Sequence, residues 1–166
     1  ISVKGSLIAL LVESAIPFIM RILKFVFWDQ LSMAAVAILS AAANITGNGV
    51  LLTNIGYLVF GLFWLLSCLT KEPLCAAYVK YNYGGESAHR NPLFMKTNYI
   101  LAAAWGVLYV LTAIWTFLLK KAGLGSVLIL VNNLIPVLMG LFTAWFQKWY
   151  PARMARGKRK EESSVP

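Results

Sequence analysis

The chain has 166 residues, of which 60% are hydrophobic and 13% are charged, and its mean hydropathy is +0.72. An ordinary soluble domain is about 45–50% apolar and about 25% charged. This composition excludes a disordered chain, a basic nucleic-acid-binding module and most soluble enzymes of this size, and it indicates a membrane protein. At roughly 150 residues per domain, we expect one domain.

The formal net charge of +9 comes from cations at the ends of apolar stretches and in the C-terminal tail. Six of the fifteen Lys and Arg residues lie between positions 148 and 160. Such placement is typical of topology signals in membrane proteins and not of a phosphate-binding face. We therefore expect no nucleic-acid partner, and we predict that the basic tail lies on the anionic inner leaflet of a lipid bilayer.

Five stretches are apolar enough to cross a bilayer as helices, which takes about 20 residues each. They lie at approximately residues 5–20, 25–45, 50–69, 97–119 and 124–146. The first stretch is closed by Arg21 and Lys24 and does not resemble a signal peptide. The predicted fold class is an all-α polytopic transmembrane helix bundle with five spans, and six spans are the alternative.

The distribution of Lys and Arg predicts the orientation, because these residues are enriched in cytoplasmic loops. With a cytoplasmic C-terminus, twelve lie on the cytoplasmic side of the five spans and three on the other, namely Lys4, Lys120 and Lys121. We therefore predict a multi-pass protein of the bacterial cytoplasmic (inner) membrane. Residues 1–150 form its transmembrane domain, and residues 151–166 form a basic cytoplasmic tail with a disordered end.

Polar residues inside the predicted spans are the first candidates for function, because a lone charge there costs about 2.5–3.5 kcal/mol on insertion. The candidates for a polar intramembrane site are Glu13, Asn54, Asn132 and Asn133. Glu13 lies in the middle of the first apolar stretch, so it is expected to be protonated, paired or facing water. It is either a proton or cation site, or a carboxyl group bonded to another helix.

Two predicted spans contain a proline four residues after a polar residue, since Pro17 follows Glu13 and Pro136 follows Asn132. A proline inside a helix leaves the carbonyl four residues earlier without its backbone hydrogen bond. Interrupted helices of this kind can mark a binding site in transporters, and they also occur in helices that only kink. Both interpretations stay open.

Small residues four positions apart allow helices to approach closely in a membrane. Three pairs have this spacing and are predicted to contribute to helix packing: Ala37 with Ala41, Ala102 with Gly106, and Gly140 with Ala144.

The segment between the third and fourth spans predicts a short amphipathic helix on the cytoplasmic membrane surface. Pro73 suits the start of a helix, and Gly84–Gly85 suits its end. Between them, apolar and aromatic residues recur at spacings of three and four: Leu74, Ala77, Tyr78 and Tyr81.

No catalytic triad, phosphate-binding loop or dinucleotide-binding glycine pattern occurs in the sequence. Cys68 and Cys75 are expected to be free thiols, because the cytoplasm is reducing. His89 has no further ligands at metal-binding spacing and is expected to be a solvated loop residue. We therefore expect no enzymatic activity, no cofactor and no metal.

The loop and the span after it resemble a family of small bacterial inner-membrane proteins related to intracellular septation protein A. The residues that carry the resemblance are Lys71, Pro73, Leu74, Tyr78, Pro92, Phe94, Asn98, Trp105 and Gly106. The resemblance covers roughly residues 30–160. It implies a polytopic inner-membrane protein linked to envelope and division processes.

Two functions follow from these patterns. The first is an envelope- or division-associated protein that acts by binding other membrane proteins or a second copy of itself. The alternative is a small transporter or channel for an ion or small solute that uses Glu13, Asn54, Asn132 and Asn133.

Overall fold

The structure, a computed structural model, describes residues 27–163. The first predicted span, with Glu13 and Pro17, lies outside the described residues. Within 27–163 all regular structure is helical, which confirms the predicted all-α class. Five α-helices occur in this range, namely α1 (Phe27–Thr46), α2 (Gly49–Ser67), α3 (Leu74–Val79), α4 (Pro92–Lys121) and α5 (Gly125–Ser163), with two 3₁₀ turns at Lys80–Tyr83 and Gly85–Arg90.

Helices α1 and α2 form an antiparallel hairpin joined by a two-residue turn. Gly47 has a φ of +66°, a conformation that costs glycine little because it has no Cβ. The side chain of Asn48 then caps α2 by accepting a hydrogen bond from Leu51 N at 3.4 Å. Trp28 and Phe63 meet near the other end of the hairpin, with ring centroids 6.2 Å apart.

Helix α4 lies at the centre of the described chain and packs against α2, α3 and α5. It begins at Pro92, five residues before the predicted span, because Asn91 stops the preceding turn and caps the helix. The Asn91 side chain accepts hydrogen bonds from Leu93 N at 3.0 Å and Phe94 N at 3.2 Å. Proline in the first turn of a helix loses no hydrogen bond, so this start is well determined.

The crossing of α2 and α4 depends on two glycines that face each other. A methyl group on Gly61 would lie 2.8 Å from Val110 Cγ2 and 3.0 Å from the carbonyl oxygen of Gly106. A methyl group on Gly106 would lie 2.7 Å from Leu65 Cγ. Both members of the predicted packing pair Ala102 and Gly106 are buried, and Gly106 lies at this crossing. Gly61 is not among the predicted packing residues.

Helix α5 is longer than the predicted span at residues 124–146. It follows Gly123, whose φ is +74°, and continues through Pro136 and Pro151 to Ser163. The sequence predicts a separate tail from residue 151 with a disordered end, but the helix carries on into that tail. Residues 152–163 are mainly Ala, Met, Arg, Lys and Glu, which favour helix. Residues 164–166 lie outside the described part.

Two described helices are long and apolar enough to cross a membrane. The most apolar 18-residue window of Pro92–Lys121 has a mean hydropathy of 1.9 and is 33% buried, and that of Gly125–Gly157 has a mean hydropathy of 2.1 and is not buried at all. The apolar parts of α1 and α2, Ala34–Ala43 and Leu51–Ser67, are shorter than the length required. The described helices therefore do not support the predicted count of five spans, because only two of them are long enough.

The core of the described chain is small and lies where the loop meets α4 and α5. Cys75, Leu101, Ala102 and Phe146 form one buried cluster, on which Trp105 packs. The indole of Trp105 donates a hydrogen bond to Thr143 Oγ1 at 3.0 Å, which joins α4 to α5. A second buried cluster consists of Ala76, Ala88 and Phe94.

Candidate functional sites

Side-chain hydrogen bonds of Ser67 on α2 and Tyr99 on α4 hold the loop between these two helices in place. Ser67 Oγ donates to Trp64 O at 2.7 Å and accepts from Leu74 N at 3.1 Å, and this fixes the start of α3. Tyr99 on α4 donates from its hydroxyl group to Thr70 O at 2.6 Å. The loop is therefore part of the folded body, although it carries many polar residues.

The short helix predicted after Pro73 is confirmed as α3. Its buried residues are Leu74, Cys75, Ala76 and Ala77. Tyr78 and Tyr81, which belong to the predicted apolar stripe, are 46% and 39% exposed. The helix thus buries its first turn against α4, while the tyrosines lie at the surface.

Four titratable side chains of the loop form a compact group, the loop charge cluster, made of Glu72, Lys80, Glu86 and His89. Lys80 Nζ lies 2.8 Å from Glu72 Oε1 and 2.7 Å from Glu86 Oε1. Burial lowers the pKa of Lys80, but hydrogen bonds to the two carboxylates raise it more, so this pKa lies above its ordinary value. Lys80 is therefore charged at any physiological pH.

His89 belongs to the same cluster, so the prediction of a solvated loop histidine is wrong. Its Nε2 lies 3.0 Å from Glu72 Oε1, and its Nδ1 lies 3.3 Å from Glu86 Oε2. The left-handed Gly84, with a φ of +97°, turns the chain so that the two 3₁₀ turns bring these residues together. In the part of the chain that is described, no three His, Cys, Asp or Glu residues are placed to hold a metal ion.

Cys75 is a free thiol that is 5% exposed and packed in the core of the loop. Burial, together with the nearby Cys68, raises the pKa of Cys75 to about 12. The thiolate is the reactive form of cysteine, so Cys75 is inert at neutral pH.

The predicted polar residues of α5 are bonded within the helices. Asn132 Oδ1 accepts a hydrogen bond from Trp115 Nε1 at 2.7 Å, and its Nδ2 donates to Thr116 Oγ1 at 3.1 Å. Asn132 therefore links α5 to α4. Asn133 Nδ2 donates to Ile129 O of its own helix at 2.7 Å and is exposed.

Asn54 lines a cavity of about 310 Å³ between the start of α2 and the end of α4. The Oδ1 atom of Asn54 is buried and accepts no hydrogen bond from the described residues. Thr116, which accepts a hydrogen bond from Asn132, also lines this cavity, so one threonine contacts Asn132 and shares the cavity with Asn54. The lining residues are Asn48, Leu51, Asn54, Thr116, Phe117, Lys120 and Lys121.

In the sequence, Lys120 and Lys121 indicate membrane topology, and no local pattern connects them with Asn54. The two lysines and Asn54 are more than 60 residues apart in the chain, and only the antiparallel pairing of α2 and α4 brings them together. The local sequence signal for a site at this position is the pair of basic residues directly after the predicted apolar stretch 97–119.

Two of the predicted packing pairs lie at the surface of the described chain. Ala37 on α1 is half-buried and Ala41 is exposed. Gly140 and Ala144 on α5 are exposed, and a methyl group added to Gly140 would meet no atom within 4 Å.

The residues that carry the family resemblance gather around the loop and the first half of α4. Asn98 is 2% exposed, its Nδ2 donates to Phe94 O at 2.8 Å, and its Oδ1 has no partner among the described residues. It lines a second cavity, of about 110 Å³. Pro73, Leu74, Phe94, Asn98 and Gly106 are buried, Trp105 is half-buried, and Lys71, Tyr78 and Pro92 are exposed.

Comparison of the chain with models of protein families, with curated proteins and with solved structures finds no match.

Proposed function

We propose that the protein is an integral membrane protein with five spans, of which α1, α2, α4 and α5 are four, and that it acts by binding other membrane proteins of the bacterial envelope. The observation that carries this proposal is the unburied apolar surface of α5. Along that helix Ile129 is 67% exposed, Leu130 63%, Val137 60% and Leu141 65%.

Such a surface is unfavourable in water and natural in lipid. Removing apolar surface from water is worth about 25 cal/mol per Å², and soluble proteins rarely expose contiguous apolar patches larger than a few hundred Å². The exposed surfaces of α2 and α4 are apolar as well. They include Leu51, Leu58, Leu62, Leu66, Val107, Leu111, Ile114 and Phe117.

The proposed orientation places the loop and the C-terminal end of α5 in the cytoplasm. Where the apolar part of α5 ends, Trp145 and Trp149 stack with centroids 4.9 Å apart, and Arg153 lies 5.4 Å from the Trp149 ring. Tryptophan followed by basic residues is typical of a cytoplasmic membrane interface. Arg153 and Arg156 are both exposed and available to anionic lipid.

An interaction function is better supported than transport by the described residues. Asn132 is occupied by bonds to Trp115 and Thr116, and Asn133 bonds to its own backbone. Asn54 lies near one end of α2 and not halfway along it. The exposed pair Gly140 and Ala144 offers a surface on which a second helix can approach closely. The resemblance to the septation-protein relatives agrees with this function.

Cross-linking within the membrane tests the interaction. In a chain with Cys68→Ser and Cys75→Ala, we expect Ala144→Cys to form cross-linked products in intact membranes, with a second copy or with another membrane protein. Thr112→Cys is the matched control, because that residue is buried within the chain. Equal cross-linking of both variants, or solute flux in proteoliposomes of the purified protein above that of empty liposomes, would contradict the interaction function.

A further inference from the structure

We propose that the cavity between the start of α2 and the end of α4 binds a phosphodiester headgroup that also carries an N–H or O–H donor. This inference rests on the proposed membrane insertion, since a phospholipid is then the source of the headgroup. The cavity of about 310 Å³ corresponds to roughly ten water molecules at about 30 Å³ each, which is room for such a group.

The charge of the cavity favours phosphate. Lys120 and Lys121 lie in the last turn of α4 and supply two ammonium groups. Asn48 and Leu51 also line the cavity and belong to the N-terminus of α2, where the helix dipole favours an anion although Leu51 N–H already bonds to the Asn48 side chain. None of the described residues that line the cavity is a carboxylate.

Asn54 adds a second requirement to the ligand, namely a hydrogen-bond donor beside the phosphate. Its Oδ1 is buried and has no partner among residues 27–163, and this carbonyl oxygen can be satisfied only by a hydrogen-bond donor. A phosphodiester group alone has no O–H or N–H to donate and would leave this oxygen unsatisfied. An ethanolamine or glycerol group next to the phosphate places a donor within reach of the same cavity.

The position of the cavity suits a lipid. It lies at the end of the bundle opposite the loop, where headgroups of the outer leaflet meet the proposed spans. Leu51 and Phe117 line it and are 53% and 59% exposed, so they can contact acyl chains that leave the cavity.

Thermal unfolding of the full-length protein in detergent tests the proposal with two matched lipids. Phosphatidylethanolamine and phosphatidylcholine share the phosphate and the positive charge, but only phosphatidylethanolamine has N–H donors. We expect saturable stabilisation by phosphatidylethanolamine at a concentration roughly tenfold lower than by phosphatidylcholine, the factor that a 1.4 kcal/mol difference produces.

Variants assign this effect to the cavity. Asn54→Leu should abolish the preference for phosphatidylethanolamine, and the double change Lys120→Gln and Lys121→Gln should weaken stabilisation by both lipids. Lys96→Gln, near the other end of α4, is the control and should behave as the unaltered protein. Circular dichroism shows whether each variant is folded, and two independent changes keep the test decisive if one fails.

A soluble probe distinguishes a phospholipid from a soluble phosphodiester as the source of the headgroup. Stabilisation by glycerophosphoethanolamine equal to that by the lipid would support the site and assign it to a soluble phosphodiester. Equal effects of the two lipids, unchanged in both cavity variants, would overturn the proposal. Failure of the proposed membrane topology would appear separately, in labelling experiments, and would leave the glycerophosphoethanolamine arm informative.

Discussion

Lys80 shows how a charged side chain is kept in a largely buried position. Its side chain is 10% exposed, and the cost of burying it is offset by the carboxylates of Glu72 and Glu86. The polar group of Asn132 is compensated in the same way among apolar residues, since both of its polar side-chain atoms are hydrogen-bonded to α4. Lys80 and Asn132 thus connect separate parts of the described chain, whereas Thr97 and Thr112 bond only to the backbone of their own helix.

Replacing Lys80 by Met should therefore destabilise the loop. It removes two hydrogen bonds to carboxylates, and we expect a loss of about 1–2 kcal/mol, reduced by the exposure of Glu86. The pKa of Lys80 is raised by folding, so its contribution is complete below the ordinary lysine pKa of about 10.4 and is lost only as the pH rises through the higher folded pKa.

The difference in unfolding free energy between Lys80→Met and the unaltered protein should thus stay constant between about pH 8 and 9.5. Denaturant unfolding in detergent measures it, with Lys96→Met as the exposed control. A difference that vanished within this pH range would refute the assigned role.

Cys75 should resist thiol reagents in the folded protein. Because its pKa is raised to about 12 from 9.0, its thiolate fraction at neutral pH is lower by roughly three orders of magnitude than that of an ordinary cysteine. Maleimide labelling of a Cys68→Ser chain measures this, with Asn82→Cys in a chain lacking both native thiols as the exposed control. Comparable labelling rates for the two without denaturant would contradict the buried placement of Cys75.

At the scale of elements, the sequence predicts where most helices lie, because long apolar stretches and strong caps are local signals. The positions of α1, α2 and α3 agree with the prediction to within a few residues. The early start of α4 depends on the Asn91 cap, and the late end of α5 depends on helix-forming residues after Pro151. The apolar pattern alone predicts neither the start of α4 nor the end of α5.

Lateral pairing of the helices is not predictable from local signals. The contact of Gly61 with Gly106, the bond of Trp115 to Asn132 and the bond of His89 to Glu72 join residues 17 or more positions apart. Each contact depends on the rotation and register of two elements. This is why the sequence identifies Asn54 and Asn132 as polar candidates but misses Thr116.

Gly106→Ala should weaken the contact between α2 and α4. The added methyl group would lie 2.7 Å from Leu65 Cγ and 3.1 Å from Gly61 O, so Leu65 must move and the helices must separate slightly. We expect a loss of about 1–3 kcal/mol.

Gly140→Ala is the matched control, because it meets no neighbour and gains helix propensity of about 0.5–1 kcal/mol. Unfolding midpoints in one detergent compare the two variants directly. Gly106→Ala at least as stable as Gly140→Ala would show that the two helices do not cross at these glycines.

At the scale of the whole molecule, the described chain has a small core beside the loop and a large apolar surface along α5. The most apolar 18-residue window of Gly125–Gly157 has a mean hydropathy of 2.1, and none of this window is buried. A bilayer as the surrounding solvent explains both features together, since the helices then need to pack only where they cross.

The most direct measurement is two-sided labelling of single thiols in cells and in inverted vesicles, in a chain with Cys68→Ser and Cys75→Ala. Asn82→Cys in the loop and Ala155→Cys near the end of α5 should react only from the cytoplasmic side, and Ala122→Cys between α4 and α5 only from the outside. All three positions are exposed in the folded chain. Labelling of all three from one side, or recovery of the protein in solution without detergent, would contradict membrane insertion.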